Sequence, residues 1–170
     1  MKNLLIVFTV LAIASTANAA LQLSVDGVVN PPDTEITLIP SQNVVIDIWG
    51  DGQTDPYGFM LGVGADDLGT LDISNATVPY PGSEAAILPF DDPDVAAMFG
   101  WQNPFIYIEL TDLTPTPAPL DGTLVDGIVF HCEGQPGDVT LTLIDVDGTP
   151  MDTQVIHQVP EPITLALLGV

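Results

Sequence analysis

The chain has 170 residues, with 23 acids and a single Lys or Arg, Lys2. Residues 20–170 therefore carry a formal charge of −23, no base standing against the 23 acids. That excludes nucleic acid as a partner, because binding phosphate needs cations to displace counterions, and it argues against anionic membrane surfaces. Hydrophobic residues make up 46% of the chain, enough for one domain to bury a core rather than stay disordered. The acids must then be solvated or neutralised by bound cations.

Residues 1–19, "MKNLLIVFTVLAIASTANA", combine one cation, an apolar stretch from Leu4 to Ile13 and a small-x-small ending at Ala17-Asn18-Ala19. This is the layout of a secretory signal peptide, predicting cleavage between Ala19 and Ala20. An exported chain is expected to use disulfides, but Cys132 is alone and reads as a small buried hydrophobe.

From residue 20 onward the apolar pattern has period two. Leu21, Leu23 and Val25 share one face, followed by "TEITLI" and by Val44, Ile46 and Ile48. Ile106, Ile108 and Leu110 repeat the pattern, as do Leu124, Ile128 and Phe130, then Val139, Leu141 and Leu143, and finally "TQVIHQV". Clusters such as "NPPD", "GDGQTDPYG", "PYPGS", "EGQPGD" and "DVDGTP" separate these runs. Many short alternating strands with such punctuation predict an all-β, antiparallel β-sandwich of the jelly-roll or cohesin-like kind, occupying residues 20–157. At most one short helix is expected, in "DDPDVAAMFG", with Asp92 capping, Pro93 first and Gly100 ending it. "LTPTPAPLDG", residues 113–122, reads as a stiff surface loop.

Two clusters suggest chemistry. Asp51 and Asp55 in "GDGQTD", with Asp145, Asp147 and Asp152 in "DVDGTPMD", place carboxylates on Gly turns where a hard cation could bind, so calcium is the candidate cofactor. Trp101, flanked by Gln102 and Asn103, and Tyr80 in "VPYPG" lie in loops and could stack on sugar rings. Plugging the sandwich end is the competing role for Trp101, and Trp49, at a strand end, is expected in the core. No catalytic residue is assigned. His131 and Cys132 are strand neighbours pointing to opposite faces, and no HExxH or Cys-x-x-Cys supports His131 and His157 as zinc ligands.

The chain ends in "VPEPITLALLGV". Pro160-Glu161-Pro162 followed by "ITLALLG" resembles the PEP-CTERM sorting signal of exported Gram-negative proteins. The resemblance implies an exosortase-type sorting enzyme as partner and delivery to the cell surface, outer envelope or extracellular matrix. In that family a longer apolar helix and an arginine cluster follow. Here Ile163–Val170 is eight residues without Arg, so residues 158–170 read as a truncated sorting segment, and stable membrane anchoring is not expected. The order "ITLIPSQNVVIDIW", "YGFMLGVGADDLGTLDI" and "DGTLVDGIVFHCEGQPGDVTLTLID" is also similar to cohesin-like and carbohydrate-binding β-sandwiches. Such folds bind dockerins, polysaccharides or other surface proteins, and fold alone does not choose among these. The expected role is thus a non-enzymatic surface or matrix module binding polysaccharide or a surface protein. A purely structural envelope protein is the alternative, and a secreted glycoside hydrolase is third.

Overall fold

Two β-sheets pack face to face in a computed structural model that describes residues 21–32, 36–53, 58–79, 83–112, 120–133 and 136–160. Their strands are β1 (Gln22–Val25), β2 (Val28–Val29), β3 (Thr37–Leu38), β4 (Asn43–Gln53), β5 (Gly58–Val63), β6 (Thr70–Asp72), β7 (Ser83–Phe90), β8 (Phe105–Asp112), β9 (Leu120–His131), β10 (Gly137–Asp145) and β11 (Pro150–Gln158). One helix, α1 (Pro93–Phe99), lies between β7 and β8. The five-stranded sheet runs β2-β1-β4-β9-β6 and the six-stranded sheet β3-β11-β10-β5-β8-β7. All pairings are antiparallel except the short β3–β11 contact. The chain is an antiparallel β-sandwich, as its alternation predicts, with one short helix among the described residues.

The main core sits between the sheets. Leu21, Leu23, Ile46, Ile48, Leu124, Ile128 and Phe130 enter it from the five-stranded sheet. Phe59, Leu61, Ile108, Leu141, Leu143 and Ile156 meet them from the six-stranded sheet. Cys132 is fully buried there, as its position in a strand pattern suggests. One carboxylate ties the sheets at their margin: Asp152 of β11 accepts the Leu23 N–H of β1 through Oδ2 at 2.6 Å and its neighbour Thr153 N–H through Oδ1 at 2.8 Å.

Two stretches read as loops turn out to be ladder. β4 continues through Gly50 to Gln53, and β9 starts at Leu120, so Asp51 faces Asp121 and Gly50 faces Gly122. Leu120–Gly122 therefore leave the expected surface loop, whose residues 113–119 lie outside the described part. Continuous pairing with β4 outweighs the weak strand preference of the Gly and Asp residues there. The β4–β9 register shifts between Ile46 and Ile48 and again between Ile48 and Trp49. Such shifts let Leu124 and Val125, adjacent in β9, both be buried.

Helix α1 forms for the reasons its sequence declares. The Asp92 carboxylate accepts the N–H groups of Asp94 and Val95, both at 3.1 Å. Pro93 opens the helix, and Gly100 closes it in the left-handed region at φ 68°. The helix covers part of the six-stranded sheet's outer face. β5 is buried at all six positions. Phe59 and Leu61 fill the main core, while Met60 joins Ala96, Trp101, Phe105 and Ile144 in a second core under α1.

Candidate functional site

The second core fixes the place of Trp101. Gly62 makes room for it, since a Cβ on residue 62 would lie 2.0 Å from the indole Cδ2. Phe99 and Phe105 flank the ring, with centroid separations of 5.0 and 5.5 Å. Trp101 is 5% exposed. A sugar-stacking ring needs an open face, so the expectation that Trp101 binds a ligand gives way to packing. Its amide neighbours are engaged too. Gln102 Nε2 donates to the Asp67 carbonyl at 2.6 Å. Asn103 donates to Asp91 Oδ1 at 2.5 Å and accepts the Asp92 N–H at 3.1 Å. Both residues border a small cleft of about 220 Å3. Tyr80 lies outside the described residues.

The candidate calcium ligands divide in the same way. Asp145 and Asp147 belong to the β10–β11 turn, where Asp145 Oδ1 accepts the Val146 N–H at 2.6 Å and Asp147 Oδ1 the Thr149 N–H at 2.8 Å. The Thr149 hydroxyl and N–H hold the Asp147 carboxyl below the usual carboxylate range. Asp152 takes up backbone amides as described above. Asp51 contributes backbone to β4, its side chain lying outside the described part together with all of Asp55. Among the described residues no three His, Cys, Asp or Glu side chains converge on one cation position. Residues Ala19, Ala20, Glu161 and Pro162 also lie outside the described part, and Pro160 is an exposed residue just past β11.

His131 and His157 sit in different sheets, so they do not share a face. His131 Nδ1 lies 2.6 Å from Asn43 Oδ1, its partner across the ladder, and His157 Nδ1 lies 2.7 Å from Asp138 Oδ1. No helix among the described residues is long and apolar enough to cross a membrane.

An open apolar groove beside α1 was not foreseen from the sequence. Met60, Phe90, Met98, Phe99, Tyr107 and Val146 line it, enclosing about 590 Å3. Met98 is 73% exposed and Val146 53%. Phe90 stacks at a tilt on Phe105 and Tyr107, with centroids 5.3 and 5.9 Å away. Asp147 stands on the rim, and Asp91 and Asp92 link Phe90 to the helix, whose first turn holds Asp94. The end of β7, the helix that follows it and the distant β10–β11 turn thus present large apolar side chains to solvent in a strongly acidic protein, the pattern of a contact surface.

The structure also exchanges the two tryptophans. Ile46 and Ile48 point inward, so alternation places Trp49 on the outer face of the five-stranded sheet, where it is half-buried. This corrects the expectation of a core Trp49. The cause is register: Trp49 pairs with Gln22 of β1 and Thr123 of β9, both outward-facing.

No protein-family model matches the sequence, and no curated protein matches it. Among solved structures the chain is similar to a cohesin module of a family 33 glycoside hydrolase from Clostridium perfringens, at 11% identity and TM-score 0.49, covering 85% of this chain and 100% of that one. It is similar to a non-cellulosomal cohesin from the archaeon Archaeoglobus fulgidus at 8% identity and TM-score 0.44, covering 79% and 93%. The Reelin-N domain of F-spondin aligns at 14% identity and TM-score 0.45, covering 82% and 86%.

Proposed function

We propose that this protein is a non-enzymatic binding module, exported to the cell surface, outer envelope or extracellular matrix of a Gram-negative bacterium, which captures a segment of a partner protein in the groove beside α1. The observation that carries this reading is the exposed apolar lining formed by Phe90, Met98 and Val146. Large apolar side chains left in water in a single patch are costly unless something covers them. Asp147 on the rim and the absence of any Lys or Arg after Lys2 select the partner's chemistry: an apolar anchor flanked by Lys or Arg. A second copy of this chain is a poor occupant, since it brings only further negative charge. The signal-peptide-like residues 1–19 and the Pro160-Glu161-Pro162 motif support export and handling by an exosortase-type enzyme.

Selection of displayed peptides of about twenty residues on the wild-type protein, with counter-selection on Met98→Glu, tests the reading. Enrichment of peptides that combine aliphatic or aromatic anchors with basic flanks, and that lose binding on the variant, is the expected result. Peptides that bind both proteins equally, or no enrichment at all, would return the chain to a purely structural role.

A further inference from the structure

The groove borders a strand whose far side is open. Among the described residues, three of the four sheet edges are strands of only two or three residues: β2, β3 and β6. The fourth, β7, is eight residues long. It pairs with β8 from Ser83 to Phe90 without a bulge, and no described residue pairs with its other side. A long, regular edge is a template for a further strand, which is why edges are ordinarily short, bulged or charged. The proline in β7 shows which backbone groups are free. Pro89 has no N–H to give β8, yet the register with Ile106 runs through it unbroken. Its backbone groups therefore face away from β8. By alternation Ile87 faces outward too, so its N–H and the carbonyls of Ile87 and Pro89 stand ready for a newcomer.

We infer, resting on the groove reading above, that the partner segment binds in extended conformation and adds a strand to the β7 edge, in place of laying a helix in the groove. The apolar lining of the groove continues onto this edge. Phe90 ends β7 and lines the groove, while Leu88, on the same face, lies opposite Tyr107, another groove residue. Leu88 is 49% exposed and Phe90 42%. An added strand turns every second side chain to this face, so alternate apolar residues of the partner meet Leu88 and Phe90. Charge selects the flanks of that segment. Asp91 is exposed immediately after β7, Asp147 stands on the groove rim, and no Lys or Arg follows Lys2. A basic segment is drawn to such an edge, whereas a second copy of β7 arrives with a whole chain of the same strongly negative charge.

Peptides selected on the wild type from the displayed library, then measured against two variants of one residue, test strand addition. Ile87→Pro removes the outward N–H without taking a bond from β8, as Pro89 already does. Ile87→Ala removes the same half-buried side chain and keeps the N–H. The enriched peptides should carry apolar residues at every second position and bind Ile87→Pro at least tenfold more weakly than Ile87→Ala. N-methylation of one such peptide, residue by residue along its backbone, gives a readout that side-chain packing would not move and that needs no variant to fold. Binding should be blocked at alternate residues only. Tolerance throughout, or blocking at consecutive residues, overturns the proposal. Peptides with apolar residues three and four apart, lost on Met98→Glu yet bound equally by both Ile87 variants, would overturn strand addition and leave the groove reading intact. No enrichment at all would remove both. Sedimentation velocity of the chain alone should show a monomer, and a dimer that Ile87→Pro dissolves would give the edge to a second copy and likewise overturn the proposal.

Discussion

The two outer faces of the sandwich solve the same problem in opposite ways. The outer face of the six-stranded sheet is apolar around Met60, Phe105 and Ile144, and it is closed by α1 with Trp101 beneath. The outer face of the five-stranded sheet carries Gln22, Asp47 and Thr123 around Trp49, and among the described residues no helix lies upon it. A tryptophan surrounded by apolar neighbours is buried in a core, whereas one in a row with amide, hydroxyl and carboxylate groups stays half-buried on the sheet's outer face. What separates the two is the company each ring keeps, down to a single missing Cβ at Gly62.

The largest effect expected from this contrast is on stability. Trp101→Ala empties the second core and should lower the unfolding free energy by about 3–5 kcal/mol, while Trp49→Ala should cost about 1 kcal/mol or less. Urea titration followed by far-UV circular dichroism measures both. Equal losses for the two variants would show that Trp49 is packed, and the contrast between the faces would fail. Gly62→Ala belongs with Trp101→Ala, since its Cβ needs the space that the indole fills.

A smaller loss should come from the junction between the sheets. Asp152→Ala strips the buried Leu23 N–H of its acceptor, and leaving such a donor unsatisfied costs about 1–3 kcal/mol. Asp152→Asn keeps one oxygen and should recover part of this. If calcium held Asp152 instead, a chelator would destabilise the wild type and leave Asp152→Ala unchanged. Because Asp152 accepts backbone amides, Asp152→Ala should lose the same stability with and without chelator. Smaller again is the stability change from Met98→Glu, about 0.5 kcal/mol or less for so exposed a residue, although its peptide binding should disappear.

The contrast also shows what was legible in the chain. Strands whose apolar and polar positions alternate, such as β10 with Val139, Leu141 and Leu143 buried between half-buried Thr140 and Thr142, announce themselves by that alternation, and the caps of α1 are written in Asp92, Pro93 and Gly100. β5 is buried on both faces, which erases its alternation, and β7 is an edge strand whose Leu88 and Phe90 stay exposed. The groove was hidden because Phe90, Met98 and Val146 come from a strand end, a helix and a hairpin turn. The two tryptophans differ in this. Trp101 depends on a gap at Gly62, which no short window of sequence expresses, whereas the outward place of Trp49 follows from the alternation of Val44, Ile46 and Ile48 before it.

The last and smallest effect concerns the charge beside Trp49. Partial burial pushes the Asp47 carboxyl above its ordinary value of 3.8. The neighbouring Asp126 and Asp26 push the same way, and the Gly127 N–H only partly offsets them. An acid whose folded value is raised takes up a proton more readily in the folded state than in the unfolded chain. The stability this contributes is fully present below pH 3.8 and is lost as pH rises through the raised value, so at neutral pH the ionised cluster works against the fold. Asp47→Asn keeps the oxygen that accepts the Gly127 N–H and removes the titration. The variant should therefore match or exceed the wild type in urea midpoint at pH 7, and this relative advantage should shrink as the pH falls toward 3.8. A wild-type-minus-variant difference that stays flat from pH 4 to pH 7 would mean that Asp47 is solvated like the other surface carboxylates. The wet face would then be neutral in its effect on folding, instead of slightly strained by its own charge.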